Sequence, residues 1–252
     1  MRESAEEKLL RLTQIEAELW TQGARIAGID EVGRGPLAGP VAAACVSIPR
    51  EKLVLGVDDS KKLSEKRREA LYPLLLEAAD YARTAFVPPE VIDEINILNA
   101  TKQAMEQCAA EFAGTFLVDA VTGLSLPGEV RSLIHGDALS YMIGAASIVA
   151  KVERDRYMVE LDAQYPQYGF ARNKGYGTAE HIAALKAYGP CPAHRRTFIA
   201  KFLGGGVCTR GPSAPGRRTP PVPFWRQTAT RSSAATCVWA MGSWISSPGA
   251  TG

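Results

Sequence analysis

The feature that most constrains this chain is a strand-like run that ends in charge. Residues 26–29 are Ile-Ala-Gly-Ile. Asp30-Glu31 follows, then a glycine turn, Val32-Gly33-Arg34-Gly35-Pro36-Leu37-Ala38-Gly39-Pro40. A short apolar run bounded by turn residues reads as a buried strand. A carboxylate at the end of such a strand is costly unless it is paired or holds a metal. The glycines let backbone come close to something outside the protein. Carboxylates for a cation, beside bare backbone for a ligand, point to metal-assisted chemistry on a phosphate-bearing substrate.

The rest of the chain alternates between strand and helix patterns. Leu9, Leu10, Leu12, Ile15 and Leu19 have the spacing of an amphipathic helix over residues 5–20. Residues 26–30 and 41–48 read as strands joined by the glycine turn. Residues 58–63 form a polar loop, and Ser64 is placed to cap a helix running to about Ala79. Residues 81–87 are strand-like and are stopped by Pro88-Pro89, where Pro89 opens a short segment to Ile95. Asn99 or Thr101 is expected to cap a helix through Phe112. Strands are expected at 115–119 and 132–135, the second ending at Gly136-Asp137. A long helix at 140–161, rich in small residues near Gly144, should pack closely on a sheet, and Thr178 should cap a helix through Ala187. Alternation of this kind indicates an α/β domain with a mixed sheet.

Composition separates the body from its tail. From Gly206 onward there are five arginines and no Asp, Glu or Lys. Subtracting them from the 29 basic residues leaves 24 against 27 acidic in residues 1–205, a net of −3. Binding to a polyanion would therefore need basic groups concentrated locally. The tail is dense in Gly, Pro, Ser and Thr without a hydrophobic period. Residues 1–205 are expected to be one folded domain, and 206–252 an unstructured extension. No apolar stretch reaches the roughly 18 residues of a membrane span. The charged N-terminus lacks a signal-peptide core, so a cytoplasmic location is expected. Cys45, Cys108, Cys191, Cys208 and Cys237 are scattered without metal or disulfide spacing.

Three strand-like segments end in acidic groups: Asp30-Glu31, Asp119 and Gly136-Asp137. Strand ends on one edge of an α/β sheet converge although they are distant in sequence. Four carboxylates there would repel one another unless a hard divalent cation, Mg²⁺ or Mn²⁺, intervened. Two such ions about 4 Å apart activate a water and stabilise the leaving oxygen of a phosphodiester. Adjacent Asp30 and Glu31 cannot both point inward from a regular strand.

Ile29-Asp30-Glu31-Val32-Gly33-Arg34-Gly35-Pro36 resembles the opening signature of ribonuclease HII. So do Asp59-Ser60-Lys61-Lys62-Leu63-Ser64, Leu117-Val118-Asp119-Ala120, and the stretch from Gly136-Asp137 through Arg154-Asp155-Arg156. Tyr168-Gly169-Phe170, Lys174-Gly175-Tyr176-Gly177-Thr178 and His194-Arg195-Arg196 continue it in order, so the likeness spans roughly residues 6–203. It implies an RNase H-like mixed β-sheet flanked by helices, with a helical C-terminal part. It implies endonucleolytic cleavage of RNA in RNA–DNA hybrids and at single ribonucleotides in duplex DNA, leaving 3′-hydroxyl and 5′-phosphate ends. By this resemblance Asp30, Glu31, Asp119 and Asp137 are the catalytic, metal-binding set for Mg²⁺ or Mn²⁺. Gly33, Arg34 and Gly35 would reach the ribose 2′-hydroxyl, the group that distinguishes RNA from DNA. Tyr176 would stack on the following sugar. Lys61, Lys62 and Lys174 are candidate phosphate contacts, with Arg195 and Arg196 weaker ones; Ser60 could cap a helix or hold a phosphate. Asp155 reads as a structural ion-pair residue. The family commonly has His where this chain has Asn173. The expected partners are hybrid duplexes and ribonucleotide-containing DNA, for a monomer that does not engage membranes, with a sliding-clamp partner left open.

Two other readings compete. One is a hybrid-binding protein that no longer cleaves, against which all four carboxylates stand. The other is a phosphotransferase using Gly33 to Gly39 as a phosphate loop, but the Gly-Lys-Ser/Thr ending of such a loop is missing.

Overall fold

A computed structural model of the chain describes residues 3–203. Five strands make one mixed sheet: β1 (Ile26–Val32), β2 (Val41–Ser47), β3 (Tyr81–Val87), β4 (Gly114–Asp119) and β5 (Gly128–Leu133), in the order β3-β2-β1-β4-β5. β2 lies antiparallel to both β1 and β3, whereas β1, β4 and β5 run parallel. The helices are α1 (Ala5–Leu12), α2 (Gln14–Thr21), α3 (Glu65–Ala78), α4 (Pro89–Ala109), α5 (Gly136–Leu139), α6 (Tyr141–Gln164), α7 (Phe170–Asn173), α8 (Ala179–Tyr188) and α9 (Arg196–Ile199). The expected α/β architecture with a mixed sheet and a helical C-terminal part is what is found. The tail beyond 203 lies outside the described residues.

Both sheet faces are covered, which explains why β2 is buried at every position. On one face Ile26, Ala44, Val46 and Leu117 pack against α6, α3 and the N-terminal helices. On the other, Ala27, Ile29, Ala43, Cys45, Phe116 and Val118 pack against α4. Small residues set the closest approach between α6 and the sheet. Gly144, Ala145 and Ala146 are buried on α6, but the tightest point is Gly28 on β1. A Cβ added there would lie 2.1 Å from the Met142 backbone. Any side chain at Gly28 would push α6 off the strand that carries Asp30.

Three local expectations need correction. The N-terminal helix is broken at Thr13, whose hydroxyl bonds back to the Leu9 carbonyl; such back-bonding competes with helical continuation. The short segment from Pro89 and the helix after it are separated, as expected, by a non-helical residue, Asn96. The cap of the second helix is Asn96, at φ 67°, whose side chain accepts from the Leu98 and Asn99 amides, not Asn99 or Thr101. β5 ends at Leu133, not at His135. His135 then takes a left-handed φ of 59°, and Asp137 sits in the single-turn helix α5. By contrast, Ser64 and Thr178 cap α3 and α8 with their side-chain oxygens as expected, and Ser140 also caps α6. Among the described residues Cys45, Cys108 and Cys191 are free thiols, and no helix is long and apolar enough to cross a membrane.

Candidate active site

The register of the parallel strands brings the carboxylates together. Ile29 of β1 pairs with Val118 of β4, so Asp30 and Asp119 follow side by side at the same edge. Asp119 pairs in turn with Leu133, the last residue of β5, and Asp137 lies one short turn beyond. Chain connections leave β1 toward β2 on one side and reach β4 on the other. The edge is thus the crevice where open α/β sheets bind ligands.

Strand alternation separates Asp30 from Glu31, as expected. Asp30 faces α6, where Ser147 donates to it, and its Oδ1 accepts the Glu31 amide at 2.8 Å. Glu31 turns to the other side, with its side chain 15% exposed, and pairs with Arg34 at 3.3 Å. Burial, reinforced by Glu31 and Asp119, holds the Asp30 carboxyl well above the usual carboxylate range. Burial raises Glu31 too, with Arg34 working against it. Asp119 is raised chiefly by burial, although its Oδ1 accepts the Gly136 amide at 2.7 Å. Asp137 is buried, and the Lys61 ammonium lies 3.2 Å from its Oδ2.

The donor set suits a hard divalent cation. All four groups offer oxygen, the ligand that Mg²⁺ and Mn²⁺ prefer. Glu31 Oε2 is buried without a hydrogen-bond partner, and three of the carboxyls are pushed toward protonation by burial. A cation would relieve both conditions. The side chains are not prearranged around one, however. Among the described residues no three acidic, His or Cys side chains are gathered closely enough to hold an ion as they stand. Each carboxylate instead leans on a local donor: the Glu31 amide, Arg34, the Gly136 amide or Lys61.

Beside the carboxylates the glycine turn is an open, anchored loop. Gly33 has φ 88°, a value open to glycine and strained for other residues. Arg34 and Gly35 are exposed, and among the described residues their amides have no hydrogen-bond partner. Tyr176 is 42% exposed, and a Cβ on Gly35 would lie 3.9 Å from its ring. The tyrosine and the loop therefore face one shared surface. Both are tied together beneath it: the Leu37 amide donates to the Gly175 carbonyl at 2.8 Å and Gly39 to Ala193 at 2.8 Å. The His181 ring contacts the Tyr176 carbonyl at 2.9 Å and meets His194, nitrogen to nitrogen, at 3.0 Å.

The polar and basic candidates divide. Lys61 and Lys62 are exposed on the loop before α3; Lys61 reaches Asp137, whereas Lys62 lies 3.9 Å from Asp59. Lys174 is turned toward protein: its ammonium donates to the Ala171 carbonyl and lies 3.7 Å from Glu65. Ser60 is buried, with its hydroxyl 2.8 Å from that of Ser147, which faces Asp30. Its place is in the hydrogen-bond chain behind the carboxylates. Arg195, read as a surface phosphate contact, is fully buried and binds loop carbonyls, while Arg196 is exposed and caps onto Asp93 through its amide. Asp155 is a structural ion-pair residue as expected, between Lys151 at 2.6 Å and Arg68 at 3.7 Å. Asn173 uses its amide inside the fold, donating to the Tyr168 carbonyl and accepting from Gly175. The motif reading did not single out Ser147, Arg154 or His181; only their spatial neighbours reveal them.

The chain has relatives among known proteins. The profile of the family described as Ribonuclease HII matches residues 27–201. A ribonuclease HII from Caldanaerobacter subterraneus subsp. tengcongensis is 50% identical over 194 residues, covering 75% of this chain and 80% of that protein. Among solved structures, the ribonuclease H2 of Pyrococcus horikoshii superposes with a TM-score of 0.60 at 27% identity, covering 71% of this chain and 97% of the other. The ribonuclease HII in the PCNA complex from Archaeoglobus fulgidus gives 0.59 at 27% identity, covering 68% and 93%.

Proposed function

This chain belongs to the ribonuclease HII family of endoribonucleases, and we propose that it cleaves RNA in RNA–DNA hybrids and at single ribonucleotides embedded in duplex DNA. Its products would carry 3′-hydroxyl and 5′-phosphate ends, and its role would be ribonucleotide removal from DNA. The observation that carries this reading is the register of β1 and β4, which sets Asp30 beside Asp119 with Asp137 one turn past β5. An open loop with free amides stands next to that edge, as a reader of a ribose hydroxyl requires.

Asp30, Glu31, Asp119 and Asp137 would hold Mg²⁺ or Mn²⁺. When bound, a pair of such ions makes water a better nucleophile and stabilises charge on the leaving oxygen. The protein's own groups do the rest. Asp30 is held at the edge by hydrogen bonds from the Glu31 amide and Ser147. The Gly136 amide orients Asp119 in the same way. Lys61, 77% exposed along its side chain, neutralises Asp137 until substrate arrives and is then free to meet a phosphate. The Arg34 and Gly35 amides and the Tyr176 ring contact the sugars at the cleavage point, which selects a ribonucleotide followed by a deoxyribonucleotide. The Archaeoglobus relative is described in a complex with PCNA, which supports a sliding-clamp partner as part of this reading.

The test is a labelled DNA duplex with one ribonucleotide, incubated with Mg²⁺, Mn²⁺ or chelator. Metal-dependent cutting on the 5′ side of the ribonucleotide, lost in Asp119→Asn, is the expected result. A folded protein that binds the duplex and cuts under none of these conditions would be a non-catalytic hybrid binder.

A further inference from the structure

Two guanidinium groups lie under the glycine loop, and neither meets a carboxylate. Arg154, on α6, and Arg195, just before α9, are both fully buried. Among the described residues no ion pair involves either one. They bind backbone carbonyls instead. Arg195 donates to Gly33 at 2.6 Å, Arg34 at 2.9 Å and Gly39 at 3.0 Å. Arg154 donates to Pro40 at 2.9 Å, Ala38 at 3.3 Å and Lys174 at 3.0 Å. Between them the two side chains hold most of the loop from beneath, through the carbonyls of Gly33, Arg34, Ala38, Gly39 and Pro40. Gly33 lacks the Cβ that would strike Arg154 Nε at 2.1 Å, so the loop rests directly on the guanidinium.

This is a costly way to build a turn. Two buried like charges repel, and apolar packing of similar volume would serve stability as well. Burial lowers both groups, Arg154 to about 10 and Arg195 to about 9, with Arg154 further lowering Arg195. Both remain charged near neutral pH. What the guanidinium forks supply is several donors in a rigid plane, which a single lysine cannot reproduce. They hold carbonyls inward, and the amides of Arg34 and Gly35 are left facing out.

We propose that Arg154 and Arg195 are positioning residues for substrate reading: by binding the inward carbonyls of the glycine loop and of Lys174, they fix the Arg34 and Gly35 amides and the Tyr176 segment where a ribose hydroxyl is told from its absence. This rests on the loop being the reader of the ribonucleotide, as proposed above.

The test compares the full chain with its Arg195→Lys and Arg154→Lys variants. The substitution keeps the charge, and so the non-specific attraction to phosphates, but removes the fork. Affinity is measured without divalent metal for two duplexes of one sequence, all-DNA and with one ribonucleotide. Amide hydrogen exchange over residues 33–40 is followed in parallel. In the wild type the ribonucleotide duplex binds more tightly. In the variants that preference falls roughly tenfold, the equivalent of one hydrogen bond. All-DNA affinity changes little, the melting temperature falls by only about 2–4 °C for each carbonyl left without a donor, and loop amides exchange faster. A folded variant that keeps its preference would overturn the proposal. So would equal loss of both affinities with melting, or failure of both variants to fold, since the arginines would then be fold supports only. A wild type without any preference would refute the reading of the loop itself.

Discussion

The carboxylate edge and the arginine-backed loop lie side by side and both bury charge, yet they handle it in opposite ways. At the edge, Asp30, Glu31 and Asp119 are like charges whose burial is incompletely compensated, and Glu31 keeps an oxygen with no partner. Under the loop, Arg154 and Arg195 are like charges whose donors are taken up by carbonyls. On the proposed reading, one region takes up a cation and rearranges to hold it. The other is complete and should move little. The lesson is that unsatisfied charge marks where chemistry enters, and satisfied charge marks what aims it.

The sharpest way to break this contrast is to remove one carboxylate. Asp119→Asn is predicted to lower the cleavage rate by about a thousandfold or more, as loss of several kcal/mol of charge stabilisation implies, with folding intact by circular dichroism. On the other side, Arg195→Ala strands three buried carbonyls. Denaturant unfolding should show a stability loss of about 3 kcal/mol or more. No comparable loss is expected from Asp119→Asn. Tyr176→Ala sharpens the distinction, because the ring is exposed beside the loop and not part of the core. Its melting temperature should hold while KM for a single-ribonucleotide duplex rises about tenfold, the scale of one lost stacking contact.

The two regions should also respond oppositely to pH. Asp30 has a raised value in the folded protein, so stability from its protonated form is full below the ordinary 3.8 and is lost as pH rises through the raised value. In metal-free melts this loss should appear on the alkaline side and vanish in Asp30→Asn or on adding Mn²⁺. His194, behind Tyr176, is lowered by burial and by His181 from 6.5 to about 4. Its contribution is present above 6.5 and is lost as pH falls through about 4. His194→Asn should flatten that acidic limb.

Much of the edge is legible in the sequence, because a carboxylate closing an apolar run is too costly to leave without a partner or a cation. Asp30, Asp119 and the caps at Ser64 and Thr178 follow from local patterns of two to four residues. Asp137 is harder to place, since the left-handed turn at His135 that positions it leaves no period to read. The break inside α4 is read from the sequence, but its cap is misplaced: Asn96, not Asn99 or Thr101, takes the role, because its side chain accepts the Leu98 and Asn99 amides. Arg195 shows the deeper limit. An arginine in a polar segment reads as solvated surface, and only the carbonyls of residues more than 150 positions earlier show it to be interior. Ser60 is the same case in smaller form, its partner Ser147 lying 87 residues away.

The most direct measurement of the central claim puts both regions in one experiment. Asp119→Asn and Arg195→Lys are compared for cleavage rate at saturating duplex and for metal-free preference between ribonucleotide-containing and all-DNA duplexes. The account predicts that Asp119→Asn loses cutting and keeps the preference, while Arg195→Lys loses the preference and retains most of its saturated cutting rate. Two variants that lose cutting and preference together, in equal proportion, would contradict it.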